Sequence, residues 1–296
     1  MTARGKNISV YLMDGDATGR MKATIANWTG VAYKIPRTAL HLCREREDLK
    51  QSGVYFLFGT DDQTGEGVVY IGQAGERKNG EGLLERLTEH KRNPDKDYWT
   101  EAVVFTTSNN SFGPTEISYL ENRFCNLAIL ANRYIVKNGN DPTHGNITEE
   151  KECELEEFVD YARLIMGVLG HKIFEPLLKA AAPVSPAAVK DEPEPCLYFE
   201  TAHVKAAGRR TADGFVVLRG SKIDAAVSKS CPENVAKIRA NAAERINDNV
   251  LKEDVLLSSP SAAASFVSGS ARNGNLTWKT AEGLTLRQLD EKSDNE

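Results

Sequence analysis

Two almost wholly apolar runs, Val54-Tyr55-Phe56-Leu57-Phe58 and Val68-Val69-Tyr70-Ile71, stand on either side of a turn-rich stretch from Gly59 to Gly67. Runs this short, bounded by glycine and rich in aromatic and β-branched residues, read as strands covered on both faces. Asp61-Asp62-Gln63-Thr64-Gly65 supplies the reversal between them, so they form an antiparallel pair. A sheet of this kind needs helices to shield it.

The sequence after Gly72 has them. Leu83 to His90 is helical by composition, Ala102 to Thr106 reads as a third strand, and a helix beginning at Thr115 carries Ile117, Leu120, Phe124, Leu127 and Ala131 at helical spacing. A longer helix spans about Thr148 to Met166, with Thr148 as its N-cap and Leu155, Phe158, Val159, Ala162 and Ile165 on one face. Ahead of the pair, Ile8 to Met13 and Met21 to Ile25 are extended pieces around an Asp14-Gly15-Asp16 turn, and Thr38 to Arg44 is helix-like after Pro36. This lead-in is either a cap packed on the paired strands and their helices or an independent accessory element.

From Lys179 to Pro195 the composition turns to Ala and Pro, which suits an exposed connection. Beyond it, a strand at Gly214 to Arg219, a helix near Pro232 to Ile246, a strand near Val250 to Leu257 and an Ala-rich helix capped by Ser258 or Ser259 make a second unit, with Asn273-Gly274 as a turn and Trp278 as a core anchor. The expected organisation is a lead-in or cap at 1–49, a main domain with its C-terminal helix at 50–178, a linker at 179–196 and an accessory domain at 197–296. The fold class is α+β, a small antiparallel sheet flanked by helices plus a small C-terminal α+β domain.

Composition bounds the function. At 296 residues, 41% hydrophobic and 27% charged, the chain is ordinary for two domains. No apolar run approaches the roughly 20 residues that span a bilayer, and the start lacks a signal-peptide core, so a cytoplasmic location without membrane partners is expected. Five widely spaced cysteines without a Cys-x-x-Cys predict reduced, mostly buried thiols and no structural zinc site. No P-loop, Gly-x-Ser-x-Gly or dinucleotide fingerprint is present, which disfavours nucleotide hydrolysis and serine hydrolase chemistry.

The main domain nevertheless holds the residue types needed to cut a phosphodiester: Tyr55 and Tyr70 in the strands, Arg86 and His90 four apart on one helix face, and Glu121 on the next helix. Tyr or His can move a proton, Arg can clamp a phosphate and Glu can hold a divalent ion. Taken singly, each residue has an ordinary reading: strand tyrosines are commonly core, Arg86 and His90 suit a solvated helix face, and Glu121 suits a helix rim. A phenol of pKa about 10 also needs a neighbouring cation or a proton relay to act as a base.

Gly53-Val54-Tyr55 and Tyr70-Ile71-Gly72, followed by Arg86, His90 and Glu121, resemble the motifs of the GIY-YIG nuclease family over roughly Ser52 to Asn146. The resemblance implies a GIY-YIG-like nuclease domain at 50–178 and a divalent-metal-dependent endonuclease with DNA as the expected substrate. It further implies one Mg²⁺ or Mn²⁺ ion on Glu121, phosphate stabilisation by Arg86, and proton transfer shared by Tyr55, Tyr70 and His90. Which of Tyr55 and His90 takes the water proton stays open.

Gly72, Gln73 and an Asn complete the implied substrate contacts. Asn140 is favoured for the Asn over Asn132 and Asn138, and Gln73 stands where repair-type members often have Lys. Residues Gly214 to Ser221, Ser258 to Ala263, Asn273-Gly274 and Trp278-Lys279 resemble a small domain of uncharacterised function that often follows GIY-YIG units.

Charge argues for a rival. The net charge is −5, and Gln51 to Thr100 carries six basic against nine acidic residues, whereas Thr201 to Val250 carries nine basic against five acidic. A catalytically weak or inactive nucleic-acid-binding or regulatory protein on the same fold is the alternative.

Overall fold

Seven strands form one sheet in the computed structural model, which describes residues 5–75, 82–139, 147–178 and 194–293. The strands are β1 (Ile8–Leu12), β2 (Met21–Ile25), β3 (Gly30–Pro36), β4 (Gly53–Thr60), β5 (Gly67–Ala74), β6 (Trp99–Thr107) and β7 (Ile135–Val136). Their order is β1-β2-β3-β6-β4-β5-β7. All neighbours are antiparallel except β5 and β7, so the sheet is mixed and larger than the small antiparallel one expected. The lead-in contributes three of its strands, because β3 pairs with β6 along its whole length, from Gly30 opposite Thr107 to Pro36 opposite Glu101. Backbone groups that would otherwise lie bare on the edge of β6 are thereby paired.

Alternation along the strands sends side chains to two separate cores. On one face, Phe56, Ile71 and Phe105 pack with α2 (Pro114–Ala131) and α3 (Glu149–Val168) through Phe124, Phe158 and Ile165. Thr148 caps α3, its hydroxyl accepting from the Lys151 N–H. On the other face, Tyr55, Leu57, Val104 and Trp99 meet α1 (Leu83–Arg92) and a 3-10 turn at Arg37–Cys43. Leu83 and Leu87 are fully buried there, and each contributes roughly 1.5–3 kcal/mol of apolar burial. That stripe fixes the rotation of α1 and carries His90, one turn on, against the sheet.

The chain divides into two compact units between Pro176 and Leu177. The second unit has a four-stranded sheet in the order β13-β10-β9-β8, where β8 is Leu197–Glu200, β9 Lys205–Thr211, β10 Gly214–Val217 and β13 Val255–Leu257. A two-stranded ladder joins β11 (Ile246–Asn247) to β12 (Val250–Leu251). Four helices complete it: α4 (Glu233–Asn241), α5 (Pro260–Ser268), α6 (Gly274–Thr277) and α7 (Leu286–Ser293). Ser259 caps α5 and Trp278 is fully buried against Phe215 and Phe199.

All five cysteines are free: Cys43 and Cys125 are buried, Cys196 and Cys231 half-buried, and Cys153 exposed. No helix among the described residues is long and apolar enough to cross a membrane. Of the expected linker, residues 179–193 lie outside the described residues, and so does Asn140.

Candidate functional site

β4 and β5 pair with Tyr55 opposite Gly72 and Leu57 opposite Tyr70, which puts both tyrosines on the α1 face as a diagonal pair. Their ring centroids are 6.3 Å apart. Gly72 is what allows this, since a Cβ there would sit 2.3 Å from the Tyr55 hydroxyl oxygen. Gly53 has a comparable reason: a Cβ would meet the Phe105 carbonyl oxygen at 2.3 Å and Leu83 at 2.7 Å, which would push β4 off β6 and α1 off the sheet. Both motif glycines thus serve close approach and not a turn.

His90 reaches the same point from α1. Its Nε2 lies 2.6 Å from the Tyr55 hydroxyl, and its ring is 5.3 Å from that of Tyr55 and 5.5 Å from that of Tyr70. Both bonded residues are buried, with Tyr55 at 1% and His90 at 4% exposure. Burial, reinforced by the charges of Lys96 and Arg86, lowers the His90 imidazole to about 4, so it is neutral at physiological pH. A neutral imidazole offers one acceptor nitrogen, so the phenol donates to Nε2 in the tautomer that carries its ring proton on Nδ1.

Burial also raises the phenols of Tyr55 and Tyr70. Each negative form is helped by Arg86, which acts on Tyr55 through both its charge and a side-chain hydrogen bond. Arg86 itself is half-exposed at the rim, and its Nη1 donates to Glu89 Oε2 at 2.8 Å.

Glu121 comes from α2, on the far face of the sheet. It lies one turn from buried Ile117 and one turn from buried Cys125, at the side of the stripe that packs on β5. β7 covers only Val68 and Val69, so on the edge away from β4 the second half of β5 has no strand neighbour among the described residues, and Glu121 bonds there with the Gln73 side chain. Burial raises its carboxyl, while Gln73 and Arg86 favour the ionised form. Its charge is felt by both Tyr55 and Tyr70. The structure therefore gathers Tyr55, Tyr70, Arg86, His90 and Glu121 around the end of β5, with Gly72 under the phenol and Gln73 on the carboxylate.

Lys96 carries no signal in the sequence, and Asn138, an alternative to Asn140 there, has a structural role. Asn138 does the work of a missing strand residue: its Oδ1 accepts from the Ile71 N–H at 3.1 Å and its Nδ2 donates to the Ile71 carbonyl at 2.7 Å. Asn132 instead ends α2 in the left-handed region at φ 50°. Lys96 stands with its Nζ 3.0 Å from the centroid of the Tyr70 ring. It lies beyond the end of α1, where helical spacing gives no signal.

For a metal, the fit is limited and specific. No group of three or more His, Cys, Asp or Glu side chains able to hold an ion is present among the described residues. Mg²⁺ commonly keeps several waters and takes one or two carboxylates together with substrate phosphate, and a single half-buried Glu121 suits that mode. It does not suit a closed zinc or calcium cage.

Residues 197–290 match the model of a family described as a domain of unknown function (DUF4357), in the region expected to hold an accessory domain. No curated protein and no solved structure matches the chain.

Proposed function

We propose that this chain is a divalent-metal-dependent endonuclease of the GIY-YIG type that hydrolyses phosphodiester bonds in DNA. The observation that carries the reading is the 2.6 Å bond between Tyr55 and His90, formed on a phenol that Arg86 and Glu121 also act upon. Structural tyrosines need no imidazole free base on one side and a guanidinium on the other. Five cysteines outside any disulfide suit a reducing compartment, so a cytoplasmic location belongs to the same proposal.

Chemistry follows from the two proton-carrying groups. Tyr55 passes its proton to His90 Nε2 as it receives one from the attacking water, the water oxygen bonds to phosphorus as the bond from phosphorus to the leaving oxygen breaks, and the leaving oxygen takes up a proton from solvent, so a phenolate never accumulates. Arg86 offsets the negative charge that grows on the phosphoryl oxygens. Glu121 is the residue that would hold a Mg²⁺ or Mn²⁺ ion, and the ion's contribution when bound is Lewis-acid stabilisation of that charge. Gln73 hydrogen-bonds the Glu121 carboxyl and favours its ionised form against the burial that raises it.

The second reading, a protein that binds nucleic acid on this fold with little or no cleavage, draws support from the lack of a group of three or more metal-ligating side chains among the described residues and from the acidic charge of Gln51 to Thr100. A Mg²⁺-dependent nicking assay on plasmid and branched DNA separates the two, with Glu121→Ala as the control. Nicking by the wild-type protein that the variant lacks supports the enzyme, and equal product from both ends it.

A further inference from the structure

Lys96 ends the 3-10 turn Pro94–Lys96 that joins α1 to β6. The turn is tied down from both sides. The Asn93 side chain accepts from the Asp95 N–H at 2.9 Å, and Arg37 donates to the carbonyls of Lys91, Asp97 and Trp99 at 3.2, 2.7 and 3.1 Å. Arg37 also pairs with the Asp97 carboxylate at 2.8 Å, so one of the two aspartates that flank Lys96 has another partner. Asp95 is exposed to solvent.

Lys96 is accordingly half-buried with no carboxylate in ion-pair range among the described residues; its contact is the Tyr70 ring face. The charge nearest to it electrostatically is another cation, Arg86, and burial together with that repulsion lowers its ammonium to about 8. The cation–π contact with Tyr70 offsets part of this burial and repulsion and leaves the ammonium's donors open to a further acceptor. Arg86 already pairs with Glu89, so the cation of this site without a carboxylate among the described residues is Lys96, whose ammonium lies over the Tyr70 ring.

We propose that Lys96 is a phosphate-binding residue of this site, which takes a non-bridging oxygen of a nucleic-acid backbone phosphate next to the one held by Arg86. The assignment rests on the nucleic-acid reading of the site. Its ligand class is a phosphodiester chain and not a free carboxylate, because the two cations stand on different elements along one rim.

The test uses the full chain carrying Glu121→Gln, so that duplex DNA is bound and not cut, and follows fluorescence anisotropy of a labelled duplex across a salt titration. Adding Lys96→Met, which keeps an aliphatic stem over Tyr70, is expected to weaken binding on the order of tenfold at low salt and to lower the slope of log K against log salt by about one. Lys96→Arg restores both. An unchanged slope, a loss of affinity that Lys96→Arg does not recover, or no DNA retention by the starting protein overturns the proposal. Cleavage is scored separately in the Glu121-intact chain: Lys96-dependent binding without Glu121-dependent nicking ends the nuclease reading alone, and the converse ends the Lys96 assignment alone.

Discussion

The Tyr55 hydroxyl, on a central strand, and His90 Nε2, on the helix laid across it, are 2.6 Å apart and both closed to solvent. An interior hydrogen bond of this kind is worth about 0.5–1.5 kcal/mol net to stability. Proton transfer through it is worth far more to a reaction, typically a factor of about 10²–10⁴. Tyr55→Phe keeps the ring packing and removes the hydroxyl. Its urea midpoint should fall by the smaller amount while Mg²⁺-dependent nicking drops by at least about a hundredfold. A purely structural tyrosine would lose stability and leave nicking intact.

Gly72→Ala should act through Tyr55. The new methyl would stand 2.3 Å from the phenol oxygen, a clash that typically costs about 1–3 kcal/mol when the core has no slack. Adding Tyr55→Phe to the same chain removes the hydroxyl but leaves the Tyr55 ring carbons that the methyl would also meet, at 2.5 and 3.0 Å. Chemical denaturation of the two single variants and the double variant should show non-additivity, because the two positions are in contact, with only a minor part of the Gly72→Ala loss recovered.

The His90 imidazole makes stability depend on pH in a defined direction. Its value falls from 6.5 to about 4 in the folded state, so between these limits the unfolded chain binds a proton that the folded chain does not. Stability contributed by His90 is therefore full above 6.5 and declines as the pH falls toward 4. Glu121, whose carboxyl is raised, works in the opposite sense and is the same in both proteins compared. Unfolding midpoints of the wild type and His90→Gln from about pH 7.5 to 4.5 should converge as the pH drops, and parallel curves would show that His90 does not titrate this way.

Asn138 stands in for a strand at the uncovered half of β5, bonded to both backbone groups of Ile71. Asn138→Ala leaves that peptide unpaired, at a cost of about 1–3 kcal/mol. Hydrogen exchange should show the Ile71 amide losing protection while Phe56, deeper in the same sheet, keeps it. Because Ile71 lies between Tyr70 and Gly72, nicking should fall as well.

Much of this molecule is written in local pattern. The apolar runs at Val54–Phe58 and Val68–Ile71 fall within β4 and β5, Thr148 and Ser259 cap the helices expected of them, and Leu83, Leu87 and His90 share one buried face of α1. Each follows from periodicity or capping within a few residues. β3, β8 and β9 are harder to see in the sequence, because Lys34 within β3 and Arg209 and Arg210 within β9 break the alternation while their stems lie along the sheet.

Which element lies beside which was decided only by tertiary structure. Spacing puts Arg86 and His90 on one face but cannot say that the face meets Tyr55, nor that Glu121 reaches the site from the opposite side of the sheet around a half-covered edge strand. Lys96 and Asn138 belong to turns without periodicity, and they acquire partners only when β6 docks beside β4 and β7 beside β5. The physical reason is that side-chain alternation specifies what a strand or helix must bury, whereas pairing over tens of residues depends on the closure of loops and the joint fit of two cores.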